Sequence, residues 1–249
     1  MASKRNNVVY LEPVEHKYYH KVTGESFKSV TTVLGMLEPE FNSEQIALAI
    51  SMQDPSKKKE QYQNMSQEEI LAEWKRINDE ANEYGTEVHE IMERYLLADK
   101  IYIPKNDYER EIILKFQKVD DMSGDIYPET ILFSEKYKIA GTCDILEIKD
   151  GYFNILDFKT NKEIDYISKY GNWLNKPVTH LSDCNFNIYA LQLSLYAYMF
   201  QMQTKMKVGK LQIFYLNPTT SEFITIPIPY LGRDAKAVLD HWLTLQQNF

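Results

Sequence analysis

Gly141-Thr142-Cys143-Asp144-Ile145-Leu146-Glu147-Ile148-Lys149-Asp150-Gly151-Tyr152-Phe153-Asn154-Ile155-Leu156-Asp157-Phe158-Lys159-Thr160 reads as two strands and the turn that joins them. Ile145, Ile148, Tyr152, Phe153, Ile155 and Phe158 supply the β-branched and aromatic side chains that suit strands, and Asp150-Gly151 is a favoured two-residue hairpin connection. Folding there brings Asp144, near the start of the first strand, beside Asp157 and Lys159 at the end of the second. Alternation sends Asp157 and Lys159 to one face and Phe158 to the other. Two carboxylates and an ammonium thus gather at one end of an apolar hairpin.

Carboxylate and carbonyl oxygens are the ligands that hard divalent cations such as Mg²⁺ prefer. Asp144, Asp157 and the Phe158 carbonyl offer such a set. Lys159 could then orient or deprotonate a water, or stabilise charge on a phosphate oxygen. On the hairpin alone, a surface Asp–Lys pair of little consequence reads equally well. The choice falls to the rest of the chain.

The chain's 249 residues, 44% apolar and 26% charged, are long enough and apolar enough for a sizeable core. No apolar run approaches a membrane span, and Met1 to Asn7 lacks the apolar segment of a signal peptide. Two cysteines, Cys143 and Cys184, exclude a disulfide framework and a four-cysteine zinc or iron–sulfur site, which suits a reducing, cytoplasmic setting. The net charge of −8 argues against tight metal-free binding to duplex DNA but leaves a metal-dependent enzyme open. No P-loop is present, so ATP is not expected as a partner.

Toward the N-terminus, Val8–Leu11 and His16–Tyr19 read as short strands, Ser29 or Thr31 as the cap of a helix through Met36, and 43–52 as a second helix. Ser66-Gln67-Glu68-Glu69 is a capping box that opens a long helix, with a break expected at Tyr84-Gly85. In it, His89 and Glu93 are four apart on one face, and Gly85 permits close approach. Asn106 and Glu109 start a helix expected to reach about Met122, and Thr130–Tyr137 reads as a strand beside the hairpin. The stretch 161–185 lacks periodicity and mixes Tyr166, Tyr170 and Trp173 with lysines: a flexible substrate flap or an irregular surface excursion. The most apolar helix, 186–202, carries Gln192 and Tyr196 at spacing four, a polar pair that needs partners. Strands over 211–216 and 223–228 and a helix over 233–246 close the chain.

In this order, Gly85-Thr86-x-x-His89-x-x-x-Glu93, Gly141-Thr142-x-Asp144, Asp157-x-Lys159-Thr160 and Gln192-Leu193-x-Leu195-Tyr196 resemble the PD-(D/E)XK nuclease superfamily, and within it the RecB-like exonuclease branch. The resemblance covers roughly 85–200. It implies a restriction-endonuclease-like α/β core, a central mixed sheet flanked by helices, as a single domain: an N-terminal hairpin and helical extension over 1–65, then the core over 66–249. It makes His89, Asp144, Asp157 and the Phe158 carbonyl ligands of Mg²⁺ or Mn²⁺, and Lys159 the catalytic lysine. Glu93, Gln192, Tyr196, Thr160, Gly85 and Thr86 would support the site or touch DNA. Cys143 stands where the family's name has proline, and the four-cysteine iron–sulfur clamp of some relatives is absent. The activity implied is an exonuclease on single-stranded DNA ends, similar to the mitochondrial genome maintenance exonuclease or to phage nucleases. A structure-selective endonuclease and a catalytically silent DNA-binding protein of the same fold are the alternatives.

Overall fold

The computed structural model describes residues 8–98 and 101–247; the expectation for Met1 to Asn7 lies outside them. Two compact units are present, one of residues up to 39 and from 88 onward, the other of 40–87.

The larger unit is built on an eight-stranded mixed sheet. Strands β1 (Val9–Glu12), β2 (Lys17–His20) and β3 (Ser26–Ser29) form an antiparallel meander that leads into helix α1 (Val30–Gly35), capped by the Ser29 hydroxyl. The sequence places this meander in an extension over 1–65, whereas β3 pairs in parallel with the central strand, making the meander part of the sheet. Strand β4 (Asp125–Ser134) pairs antiparallel with β5 (Ile139–Lys149), which turns through Asp150 and Gly151, both at positive φ, into β6 (Tyr152–Lys159). Positive φ at both central residues is what a hairpin matched to strand twist requires. β6 then pairs in parallel with β7 (Lys207–Leu216), and β7 antiparallel with β8 (Phe223–Ile228).

Helices cover both faces of this sheet. Helix α5 (Asn185–Thr204) lies on one with α1 and α6 (Gly232–Gln247), burying Leu191, Leu195 and Met199 against Phe153, Ile155 and Ile213. The other face is held by an aromatic cluster in which Phe116 of α4 (Asp107–Gln117) packs on Phe158, Phe214 and Phe223 at centroid distances of 5.5, 4.9 and 5.6 Å. Helix α4 stops five residues before Met122. Its successors Ser123 and Gly124 donate their N–H groups to the buried Glu147 carboxylate at 2.7 and 2.8 Å, and that anchor bends the chain into β4.

The smaller unit holds helix α2 (Ser43–Ser51), a single 3₁₀ turn and the first two thirds of α3 (Gln67–Leu97). The capping box forms in both directions, Ser66 N donating to Glu69 Oε2 and Glu69 N to Ser66 Oγ. Trp74 sits between Phe41 and Tyr62 and donates its indole N–H to the Tyr62 hydroxyl. The break expected at Tyr84-Gly85 does not occur: α3 runs unbroken for 31 residues. One glycine costs about 1 kcal/mol against alanine, too little to interrupt a helix of that length.

Candidate active site

The site begins where the sheet divides. On one edge β5 pairs with β4 from Ile139 to Ile148. On its other edge it pairs with β6 only from Ile145 to Lys149, and with β3 at Ile139 and Ala140. Between those two partners, 141–144 of β5 and 157–159 of β6 splay apart. Phe158 N donates instead to Asp144 Oδ2 at 2.7 Å. A backbone donor must find an acceptor somewhere, and here the fork hands it to a carboxylate.

Continued past Ile145–Leu156, the register sets Asp144 opposite Asp157, at the sixth of the eleven positions of β5 rather than near the strand's start. Alternation also slips here. Cys143 and Leu146 both belong to the core under α5, as do Leu132 and Tyr127 on β4. The slip on β4 falls at Glu129, which has φ of 49° and stands across from Asp144 between the pairs Pro128–Ile145 and Thr130–Cys143. Irregular strand geometry of this kind re-aims side chains. Glu129, Asp144 and Asp157 thereby form a row of acids across three strands.

Helix α3 brings His89 to this row. Its Nδ1 lies 3.4 Å from Asp144 Oδ2, and its ring meets Phe158 edge-on at 6.0 Å. Lys159 forms an ion pair with Asp157 Oδ2, an oxygen that is buried and accepts no directed hydrogen bond. The same ammonium lies 4.9 Å from the centre of the Tyr189 ring on α5.

Charge in this confined space moves every proton equilibrium. Burial opposes ionisation of His89, but Asp144 and then Asp157 outweigh it and raise its pKa to about 9. Burial also opposes ionisation of Asp144, yet His89, Lys159 and the Phe158 N–H hold it below the usual carboxylate value. Asp157 is pushed up by burial and by Asp144, with Lys159 pulling the other way. Glu129 rises to about 8 through burial and the charges of Asp144 and Glu93. The sequence pattern does not single out Glu129. Pro128 makes its surroundings read as a loop, and only a strand extended back to Asp125 would set it opposite Asp144.

The remaining expected residues are placed as follows. Tyr196 is 3% exposed and packed on Gly141 within the core, and Gln192 is half-buried one turn before it on α5. Glu93 is half-buried within reach of the charge on Glu129. Thr160 is half-buried at the end of β6. Gly85 and Thr86 lie on α3 one turn before His89. Cys143 is fully buried and paired with Thr130 on β4, where proline would remove a strand donor.

Among the described residues, no three His, Cys, Asp or Glu side chains close around a common point. The acids rest on the chain's own cations instead, Asp144 on His89 and Asp157 on Lys159. The donor types nevertheless fit a divalent cation: two carboxylates, an imidazole and, in Asp157 Oδ2, a buried oxygen whose partner is the Lys159 ammonium.

A mixed sheet between helices, with two aspartates and a lysine at a strand fork, defines the restriction-endonuclease-like class. A model of the PD-(D/E)XK nuclease superfamily matches residues 40–246, and the chain belongs to that superfamily. Over 95 residues, 38% of its length, the chain is 33% identical to one subunit of an ATP-dependent helicase/nuclease from Carboxydothermus hydrogenoformans, which supports the RecB-like branch. Those residues span 7% of that relative. The superfamily is one of nucleases. Among the described residues no helix is long and apolar enough to cross a membrane.

Proposed function

We propose that the chain is a Mg²⁺- or Mn²⁺-dependent deoxyribonuclease, an exonuclease acting on single-stranded DNA ends. The observation that carries this reading is the convergence of His89, Asp144, Asp157 and Lys159 on one fork in the sheet, 3.4 Å separating the imidazole from Asp144. His89, Asp144, Asp157 and the Phe158 carbonyl would hold the cation, which when bound offsets phosphate charge and makes water a better nucleophile at neutral pH. Imidazole in the set suits Mn²⁺ while admitting Mg²⁺. Lys159, fixed between Asp157 and the Tyr189 ring, presents Nζ to neutralise a phosphate oxygen or to exchange a proton with the attacking water. Gln192 and Tyr196 seat α5 against β5, and Glu93 adds negative charge beside Glu129. Thr160 leads out of the site, and Gly85 and Thr86 lead along α3 to His89. The reaction needs no ATP, and a cytoplasmic role in DNA recombination, repair or replication goes with it.

The alternatives are a structure-selective endonuclease and a silent binding protein. Neither the carboxylates nor the lysine is missing, so the sequence mark of a silent protein is absent. End-labelled linear single strands, duplexes and covalently closed single-stranded circles, incubated with Mg²⁺ or Mn²⁺, separate these readings. Linear strands should be degraded and circles left intact, with all cleavage stopped by EDTA. Cut circles would make the enzyme an endonuclease, and full activity in excess EDTA would remove the metal mechanism.

A further inference from the structure

Just beyond Lys159 the chain leaves the sheet and runs without helix or strand to α5. This excursion is tied down along its length. Asp165 N donates to Asn185 Oδ1 at 2.8 Å, Ser168 N to Ser182 Oγ at 2.7 Å and Leu174 N to Leu181 O at 2.9 Å, while Leu174 and Val178 are buried in the core. On that frame Tyr166, Ile167, Tyr170 and Trp173 stand 57, 75, 84 and 59% exposed. Large apolar side chains scattered singly need no explanation, but four within eight residues on one bonded frame mark a contact surface.

Beside them is a cavity of about 380 Å³, with Ile167, Ser168 and Tyr170 on one side and Ile188 and Tyr189 of α5 on the other. Tyr189 joins it to the candidate active site. The Lys159 ammonium lies 4.9 Å from that ring, and the Tyr189 hydroxyl donates to Asn161 Oδ1. The cavity is therefore one side chain away from the lysine. Its size suits a single small group and is far too small for paired bases. Its charge says which part of a nucleotide enters: Lys169 also lines it but is engaged by Asp165, and Glu38 and Asp183 leave the lining acidic. Carboxylates repel a phosphate and accept hydrogen bonds from the exocyclic amines of bases.

We propose that this cavity takes the unpaired base of a nucleotide beside the cleaved phosphate, with Tyr170 at its rim as the stacking surface. The proposal rests on the nuclease reading above and commits the site to single-stranded nucleic acid. Aromatic side chains hold successive bases in this way because every base has a π-face.

The test uses the full chain and a linear single strand carrying 2-aminopurine near its end, with EDTA present to keep the strand intact. Binding is followed by anisotropy and stacking by quenching of the 2-aminopurine. Tyr170→Ala should weaken single-strand binding ~10-fold and abolish the quench. Tyr170→Phe should keep both, and neither variant should change binding to a blunt duplex. Unchanged single-strand affinity in Tyr170→Ala, or an equal loss on duplex, overturns the pocket. Cleavage by the parent chain in Mn²⁺ is measured separately. A parent that cleaves while Tyr170→Ala binds normally removes the pocket alone. A parent that binds and quenches single strands yet cleaves nothing removes the nuclease reading and leaves the pocket supported.

Discussion

Asp157 is 2% exposed and has Lys159 as its ion-pair partner, so this lysine has two jobs that substitution can separate. Lys159→Met keeps much of the aliphatic stem beside the Tyr189 ring while removing the ammonium. The cleavage rate should fall by a factor on the order of 100 or more, the scale of losing a positioned acid–base or charge-stabilising group. Folding should survive, because Asp157 without its cation takes up a proton more readily instead of remaining a bare buried charge. Single-turnover cleavage beside circular dichroism checks both, and cleavage at the parent rate would remove Lys159 from the chemistry. The same cluster sets a pH dependence. His89 is raised from 6.5 to about 9 and Glu129 from 4.5 to about 8, and Asp157 moves the same way. Each binds its proton more tightly folded than unfolded, so its contribution to stability is complete below the unfolded value and is lost as pH climbs through the folded one. Asp144 runs oppositely, its contribution fading only as pH falls below the ordinary carboxylate value. In EDTA the thermal midpoint should therefore drop between about pH 6 and about pH 9, and saturating Mn²⁺ should flatten that slope by competing with the protons. A midpoint that rises over that interval in EDTA contradicts this arrangement of charges.

At the scale of elements, the junction of β5 with α5 depends on Gly141. A Cβ there would lie 2.7 Å from Tyr196 Cε1 and 3.1 Å from Val30 Cγ2, so three elements meet where only hydrogen fits. Gly141→Ala should lower the thermal midpoint by roughly 3–10 °C, the effect of overpacking a core of this size. It should also slow cleavage, since α5 carries the ring beneath Lys159. Tyr196→Phe should cost about 1 kcal/mol, because it leaves an atom-sized void where the buried hydroxyl packs against Gly141. An unchanged midpoint in both variants would mean α5 does not seat on Gly141. These contacts also show what is readable in advance. The hairpin, the capping box at Ser66 and the Ser29 cap depend on residues adjacent in sequence, and each is legible from local chemistry. The fork is not, because β3, remote in sequence, shares one edge of β5 with the adjacent strand β6, and nothing local in Ser29 or Ala140 announces that pairing. The order of the site motifs points to His89, Asp144, Asp157 and Lys159. Glu129 stays hidden because Pro128 is tolerated on an edge strand, where its missing N–H faces no partner.

Across the whole molecule, 36 acidic residues outnumber 28 basic ones, and many of the cations are already engaged. Arg76 holds Glu73 and Glu80, Lys169 holds Glu163 and Asp165, and Lys138, Lys210 and Lys236 each hold a carboxylate. Surface pairs of this kind add little stability, but they leave fewer ammonium and guanidinium groups to displace counterions from a nucleic-acid backbone. Without divalent metal, single-stranded DNA should therefore bind by few phosphate contacts, supplemented by base stacking, which is indifferent to salt. The slope of log K against log monovalent salt should be about −2 or shallower, the release expected from roughly three contacts on a single strand. Adding Ca²⁺ should raise affinity at fixed ionic strength, since a cation held by His89, Asp144 and Asp157 would supply positive charge where the chain itself is acidic. Titrations in EDTA from low to moderate KCl measure the slope directly. A value near about −5 would require a basic footprint that the charge pairing argues against, and would move the binding energy from bases and metal to the phosphate backbone.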